Sequence, residues 1–367
     1  MATITRIETD LLHLPLPRPV SLPHSQEPRS ATHVEVVLVH VHTSATQIGL
    51  GFAYTLGGGG AALRSILDSI LAPLLVGQNA FQTEAIFHRM MAELEGIGTA
   101  GLATRAVAAV DCALWDWKGK VAGMPIAQLL GGYRSKLKAI ASDVATPALG
   151  SKQAIKEIKR MLELGVAGVQ IEIGTVDPEL DEERLKQLRD AVPDGAWFEV
   201  SACGRYDYST AVYMGQIGEQ DFGIDSYHDP LRADDFANLP RLIAKLEVGI
   251  AVGALADRPA DFLRLLECPG ISALRLDPMR LGGITPARKI AHLAELKQVA
   301  IYPVRLPEVG VHLCGATVYG RMCEYVDWFA ELFDGGPRFQ NNQLMVPDAP
   351  GLGLSVNEKL ASQYRIG

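Results

Sequence analysis

The feature that most constrains this chain is a change of period near residue 136. From there a short apolar strand-like run and a helical run alternate at roughly 25-residue spacing. The strand-like runs fall at 137–144, 168–173, 197–202, 224–229, 249–254, 272–277, 300–304 and 322–327. Eight strand–helix units in succession predict a (β/α)8 barrel. An open doubly wound sheet is the competing architecture, and the even spacing and the lack of a dinucleotide-type glycine loop count against it. Helix 151–164 is the clearest connector, with Ser151 expected as its N-cap and Gly165 as its stop.

Ahead of the barrel, residues 4–16, 33–42 and 49–56 alternate as half-buried antiparallel strands do, and helical patterns follow at 61–76, 81–94 and 104–122. Residues 1–130 therefore read as an α+β domain, 131–335 as the barrel, and 336–367 as a segment returning to the first domain. Between the first two strands, 17–32 is rich in Pro, Ser and Arg and reads as a mobile loop. Gly57 to Gly60 lacks the Lys-Ser/Thr of a phosphate loop and reads as a flexible flap.

Composition narrows the function classes. A chain of 367 residues with 48% hydrophobic and 21% charged side chains can bury an enzyme-sized core. Its net charge of -8 argues against nucleic acid or an anionic membrane as partner, because those call for clustered Lys and Arg. Cys112, Cys203, Cys268, Cys314 and Cys323 are odd in number and widely spaced, which suits reduced thiols in a cytoplasmic protein better than a disulfide framework or a zinc site. No signal peptide or bilayer-length apolar run is apparent.

Within the barrel, the stretch Leu274 to Thr285 ends a strand on one carboxylate, Asp277, and turns at Gly282-Gly283 into a helix. At a barrel's carboxyl rim such an acid is a site candidate, and it is equally a turn or N-cap aspartate. Four further motifs stand out: Ala106-Val-Ala-Ala-Val-Asp-Cys-Ala-Leu-Trp-Asp-Trp-Lys-Gly-Lys, Leu129-Leu-Gly-Gly-Tyr-Arg, Leu281-Gly-Gly-Ile-Thr and Gln343-Leu-Met-Val-Pro-Asp-Ala-Pro-Gly-Leu-Gly-Leu. With these the chain resembles the enolase superfamily, in the mandelate racemase and muconate lactonizing group, and is most similar to the galactarate and talarate dehydratases. The resemblance covers nearly the whole length. It implies an N-terminal capping domain whose loops, here 17–32 and 53–60, close over the barrel mouth, and a homo-oligomeric protein acting on a hydroxylated carboxylate as lyase or isomerase.

The family removes a proton beside a carboxylate with the help of Mg2+ held by three strand-end carboxylates. Carried over by the resemblance, those positions fall at Ser201, His228 and Ala254, a set that does not suit a hard cation wanting oxygen ligands. The family's Lys-x-Lys bases fall at Gln170 and Glu172, and its partner histidine at Val304. Asp277, which would orient that histidine, and Glu324, which would support the enediolate, are retained. The expectation is a protein without a cofactor: either a metal-independent enzyme using His228, Glu172, Asp277 and Glu324, or a non-catalytic sugar-acid-binding or assembly protein. Gln170, Ser201, Arg305 and Tyr54 are the substrate-binding candidates, Arg305 for a carboxylate. A relocated metal site from Glu172, Glu199, His228 and Asp229 is disfavoured, since alternation turns Asp229 away from His228. Alternation also points Glu199 and Arg275 inward one layer below the rim, where an acid and a guanidinium are expected to pair with each other.

Overall fold

The computed structural model describes residues 2–22 and 29–366. Three antiparallel strands, β1 (Ile4–Ser21), β2 (Ser30–Thr43) and β3 (Ile48–Leu56), form the cap sheet in that order. The described residues of the expected loop at 17–32 are mostly strand: Pro17 to Ser21 extend β1 and Ser30 to Thr32 open β2, while 23–28 lie outside the described residues. Composition misled there because prolines sit where β1 breaks register, between Pro15 and Val20, so their missing N–H costs no ladder bond. The expected flap is a turn at Gly57 to Gly59 leading into helix Gly60–Ile66, whose first N–H is held by Glu35 at 2.6 Å.

The long helix Leu102–Ala122 lies on the cap sheet, which buries nearly its whole length. Gly51 makes that approach possible, since a Cβ there would collide with the carbonyl oxygen of Ala109. The helix also holds the cap to the barrel through the motif residues. Asp111 accepts from Thr285 N at 2.9 Å and Thr285 Oγ1 at 2.6 Å, and Trp115 Nε1 donates to the same hydroxyl at 2.9 Å. Asp116 accepts from Leu50 N and Leu352 N and pairs with Lys120. Three of the motifs that carry the resemblance thus meet at one buried joint between cap, barrel and tail.

The barrel strands are β4 (Lys136–Ala141), β5 (Gly168–Glu172), β6 (Trp197–Ser201), β7 (Ser226–His228), β8 (Gly249–Val252), β9 (Ile271–Leu276), β10 (Ala300–Pro303) and β11 (Met322–Tyr325). Consecutive strands from β4 to β10 pair in parallel, and β11 returns to β4 with Glu324 opposite Ile140, giving a (β/α)8 barrel. Helix Ser151–Leu164 has the expected bounds, with Gly150 in place of Ser151 at its cap, and ends on left-handed Gly165. In the tail, strand Gln343–Met345 adds antiparallel to β4, and Ile366 N bonds Leu11 O of the cap. Among the described residues no helix is long and apolar enough to cross a membrane.

Candidate functional site

At the carboxyl ends of the barrel strands the backbone itself is unusual. Asp143, Cys203, Asp229 and Arg305, each one or two residues past a strand, have φ of 57°, 51°, 40° and 65°. Left-handed conformations at non-glycine residues cost energy and gather where a side chain must be re-aimed. Asp229 shows the effect. Alternation predicts that it faces away from the interior, but its left-handed φ turns it inward, where its Oδ2 meets Arg275 at 2.6 Å.

Arg275 is the centre of the interior. From β9 its buried guanidinium reaches Asp229, Glu324 Oε1 at 2.6 Å and Gln170 Oε1 at 2.9 Å. Burial alone would lower its pKa, but Asp229 and Glu324 outweigh that, so it stays charged. The expected Glu199–Arg275 pair does not form. Glu199 Oε2 accepts from Tyr302 Oη at 2.9 Å, its Oε1 has no partner among the described residues, and burial pushes its pKa up to about 8. Glu199 avoids the cost of a buried charge by keeping its proton, leaving the guanidinium to two acids nearer the rim.

The sequence-derived catalytic candidates are all engaged. His228 is fully buried between Gln170 Oε1 at 2.8 Å and Ser226 Oγ at 2.9 Å. Gln170 Oε1 can only accept, so His228 Nδ1 donates to it, and Nε2 lies 2.9 Å from the Ser226 hydroxyl, which donates to the Gly249 carbonyl at 3.3 Å. Burial, then Arg275, holds this imidazole neutral, well below its ordinary pKa. A general base needs a lone pair facing a substrate, and the His228 ring is fully buried. Glu172 is paired with Arg205 at 2.8 Å. Glu324 holds Arg275 with one oxygen and Arg305 N with the other. Asp277 is an N-cap: its Oδ1 accepts from Met279 N at 2.9 Å at the start of helix Pro278–Leu281, leaving a buried Oδ2 unpartnered.

Of the binding candidates, Gln170 is spent inside the barrel, and Ser201 is fully buried with its Oγ 3.5 Å from Cys203 Sγ. Tyr54 and Arg305 differ. Tyr54 reaches down from the cap, edge-on to Trp328 at 5.4 Å; its buried hydroxyl has no partner among the described residues, and burial pushes its pKa to about 12. Arg305 lies 6.0 Å from the Trp328 ring. Its guanidinium makes no hydrogen bond or ion pair to any described residue, although Asp143 and Glu324 keep it charged against the cost of burial. Two other arginines of the rim are tied down: buried Arg18 binds Asp327, Glu157 and the Asp143 carbonyl, and partly buried Arg205 binds Glu172.

Sequence reasoning missed Arg18, Asp143 and Trp328. Arg18 was hidden in a stretch read as loop, and no spacing signal marks a left-handed aspartate. Beside the rim, a cavity of about 310 Å³ opens between Ser21 and Ser30 of the cap and Pro147, Thr175 and Arg205 of the barrel. Its size suits a small polar molecule.

A (β/α)8 barrel under an α+β cap, with charged groups gathered at its carboxyl rim, is the class of fold to which this chain belongs. The model for the mandelate racemase / muconate lactonizing enzyme N-terminal domain matches residues 8–131, and that for the enolase C-terminal domain-like family matches 153–360. The chain belongs to the enolase superfamily, in the mandelate racemase/muconate lactonizing enzyme group.

It is 28% identical over 357 residues to L-talarate/galactarate dehydratase of Salmonella typhimurium, covering 96% of this chain and 89% of that protein. Arabinonate dehydratase of Saccharolobus solfataricus is also 28% identical, over 90% of this chain and 91% of that protein. The crystal structure of L-talarate dehydratase from Polaromonas sp. JS666 complexed with Mg and L-glucarate superposes with a TM-score of 0.91 at 28% identity, over 100% of this chain and 98% of that one. A racemase from Streptomyces coelicolor with bound magnesium also reaches 0.91, at 26% identity over 99% and 100% of the two chains.

These structures correct the expectation of a cofactor-free protein: similar chains hold Mg, and the family expectation is Mg. By the resemblance, the metal-ligand positions fall in this chain on the Ser201 hydroxyl, the buried imidazole of His228 and the methyl of Ala254. Among the described residues no group of three His, Cys, Asp or Glu is arranged to hold a metal ion. The residues at these positions do not fit the three-carboxylate set.

Proposed function

We propose that this chain binds a small hydroxylated carboxylate at the barrel mouth, with Arg305 as the carboxylate anchor. The observation that carries this reading is the Arg305 guanidinium, charged and close under the cap yet without a hydrogen bond or ion pair from any described residue. Such a cation is stabilised by an anion of matching fork geometry, and a carboxylate supplies two parallel acceptors. Tyr54, Trp328 and Asp277 each bring a buried polar atom without a partner to the same region, which hydroxyl groups can satisfy. The acid-sugar ligand and the dehydratase activities of the similar proteins support the ligand class.

Calorimetric titration with galactarate, with and without millimolar Mg2+, tests this. Arg305→Met should weaken binding at least a hundredfold, the loss expected for one charge-assisted bidentate contact. Unchanged affinity in that variant would remove Arg305 from the site.

A second reading, a lyase or isomerase acting on the same ligand, is favoured by the unpartnered carboxylate oxygens Asp143 Oδ2 and Asp277 Oδ2, each able to accept a proton. Exchange of the ligand's α-hydrogen in heavy water, lost in an Asp143→Asn or Asp277→Asn variant, would support turnover; no exchange leaves binding alone.

A further inference from the structure

Arg305 accounts for a carboxylate but not for recognition of the rest of a ligand. The charge that acts most strongly on Arg305 is Asp143, yet the two form no ion pair within 4 Å. Asp143 is 7% exposed, and its Oδ2 has no hydrogen-bond partner among the described residues. Two features fix it in place: its left-handed φ of 57°, and the bond from Arg18 Nε to its carbonyl oxygen at 2.9 Å. Burial pushes its carboxyl up and Arg305 pulls it back. On the same segment Ser142 Oγ and Thr146 Oγ1 are buried and also unpartnered.

Three buried polar atoms without a partner among the described residues thus lie on one short segment past the end of β4, and Asp143 among them is the acid whose charge acts most on Arg305. Buried polar groups in native proteins are almost always satisfied; the Asp143 carboxylate takes a donor, and the Ser142 and Thr146 hydroxyls take either a donor or an acceptor. Hydroxyl groups do both; apolar carbon does neither.

We infer that Asp143 is the specificity-determining residue of the mouth, accepting a hydrogen bond from a ligand hydroxyl close to the carboxylate held by Arg305. The site then takes polyhydroxylated acids and rejects acids of the same length without hydroxyls. This rests on the reading of Arg305 as anchor. Asp143 acts by discrimination: a site built to bond a hydroxyl leaves its own polar groups unpaired when the hydroxyl is absent, whereas added apolar contact separates ligands only weakly.

The test is calorimetric titration of the full chain with galactarate and with adipate, its six-carbon counterpart without hydroxyls. The unaltered chain should bind galactarate at least about a hundredfold more tightly than adipate. Asp143→Gly, which suits the left-handed backbone, should cut that ratio at least tenfold by weakening galactarate alone. Asp143→Asn tolerates the same φ, keeps the shape and should cut the ratio at least threefold, so the comparison survives if the glycine variant does not fold. An unchanged ratio in both variants overturns the role of Asp143 while leaving Arg305 in place. Loss of discrimination together with an Arg305→Met variant that binds both acids normally overturns the anchor reading instead. An unaltered chain that binds neither acid overturns both.

Discussion

Removing the Arg275 guanidinium strands two carboxylates inside the barrel. In an Arg275→Met variant the thioether fills much of the same volume, but Asp229 and Glu324 each lose a contact of 2.6 Å and Gln170 loses one of 2.9 Å. Breaking a buried pair by deleting one partner costs about 3–5 kcal/mol, because the remaining charge keeps its desolvation penalty. Here two acids share the loss. Asp229 still accepts from Gly253 N, and Glu324 still accepts from Arg305 N, which limits the damage toward the lower end of that range. The expected loss is about 3–4 kcal/mol by urea denaturation. Glu199→Gln is the control. Its carboxyl is already protonated at pH 7 and accepts one bond from Tyr302, so the amide should cost about 1 kcal/mol or less. A Glu199→Gln variant as unstable as Arg275→Met would show that Glu199 is the charged partner of Arg275 after all. An Arg275→Met variant within about 1 kcal/mol of the parent would refute the interior network.

Three further outcomes follow from the same geometry. Glu199 and Glu308 are both buried with pKa raised to about 8, so the folded state holds protons that the unfolded state releases near 4.5; their contribution is fully present below that value and is lost as pH rises to 8. Unfolding free energy should therefore fall between pH 7 and 8 by up to about 1.4 kcal/mol per pH unit for each group, and Glu199→Gln should flatten the slope; a rising slope contradicts the assignment. At the joint, Asp111→Ala leaves two buried Thr285 donors unpaired and should cost about 2–5 kcal/mol, with hydrogen exchange rising in helix Leu102–Ala122; unchanged protection there would rule out the latch. Asp277→Asn should stay within about 0.5 kcal/mol of the parent and Asp277→Ala lose about 1 kcal/mol by thermal melting, as an N-cap requires; equal losses would give Asp277 another role.

Periodicity made the barrel legible. Side-chain alternation and helix spacing are local properties, and the eight strand-like runs correspond to β4 through β11 with boundaries moved by a few residues. Contacts across the barrel were not legible in the same way. Alternation correctly turned Glu199 and Arg275 inward, but their partners depend on reach across a closed sheet. A guanidinium on β9 can bridge to β5, β7 and β11, and no one-dimensional pattern records that. Left-handed backbone at Asp229 and Asp143 broke the alternation where the rim begins. Arg18 disappeared into a proline-rich stretch because strand edges tolerate proline where register fails. Asp277 carried two readings in the sequence, and only the geometry of Met279 N separated them.

In the proposed site Arg305 is the group that meets a ligand's carboxylate. A crystal structure of the chain soaked with galactarate in the presence of Mg2+ examines this most directly. The predicted result is a carboxylate of the ligand within about 3 Å of the Arg305 guanidinium and a hydroxyl on Asp143. A ligand carboxylate seated instead on a cation among Ser201, His228 and Ala254, with Arg305 left unpaired, would contradict it.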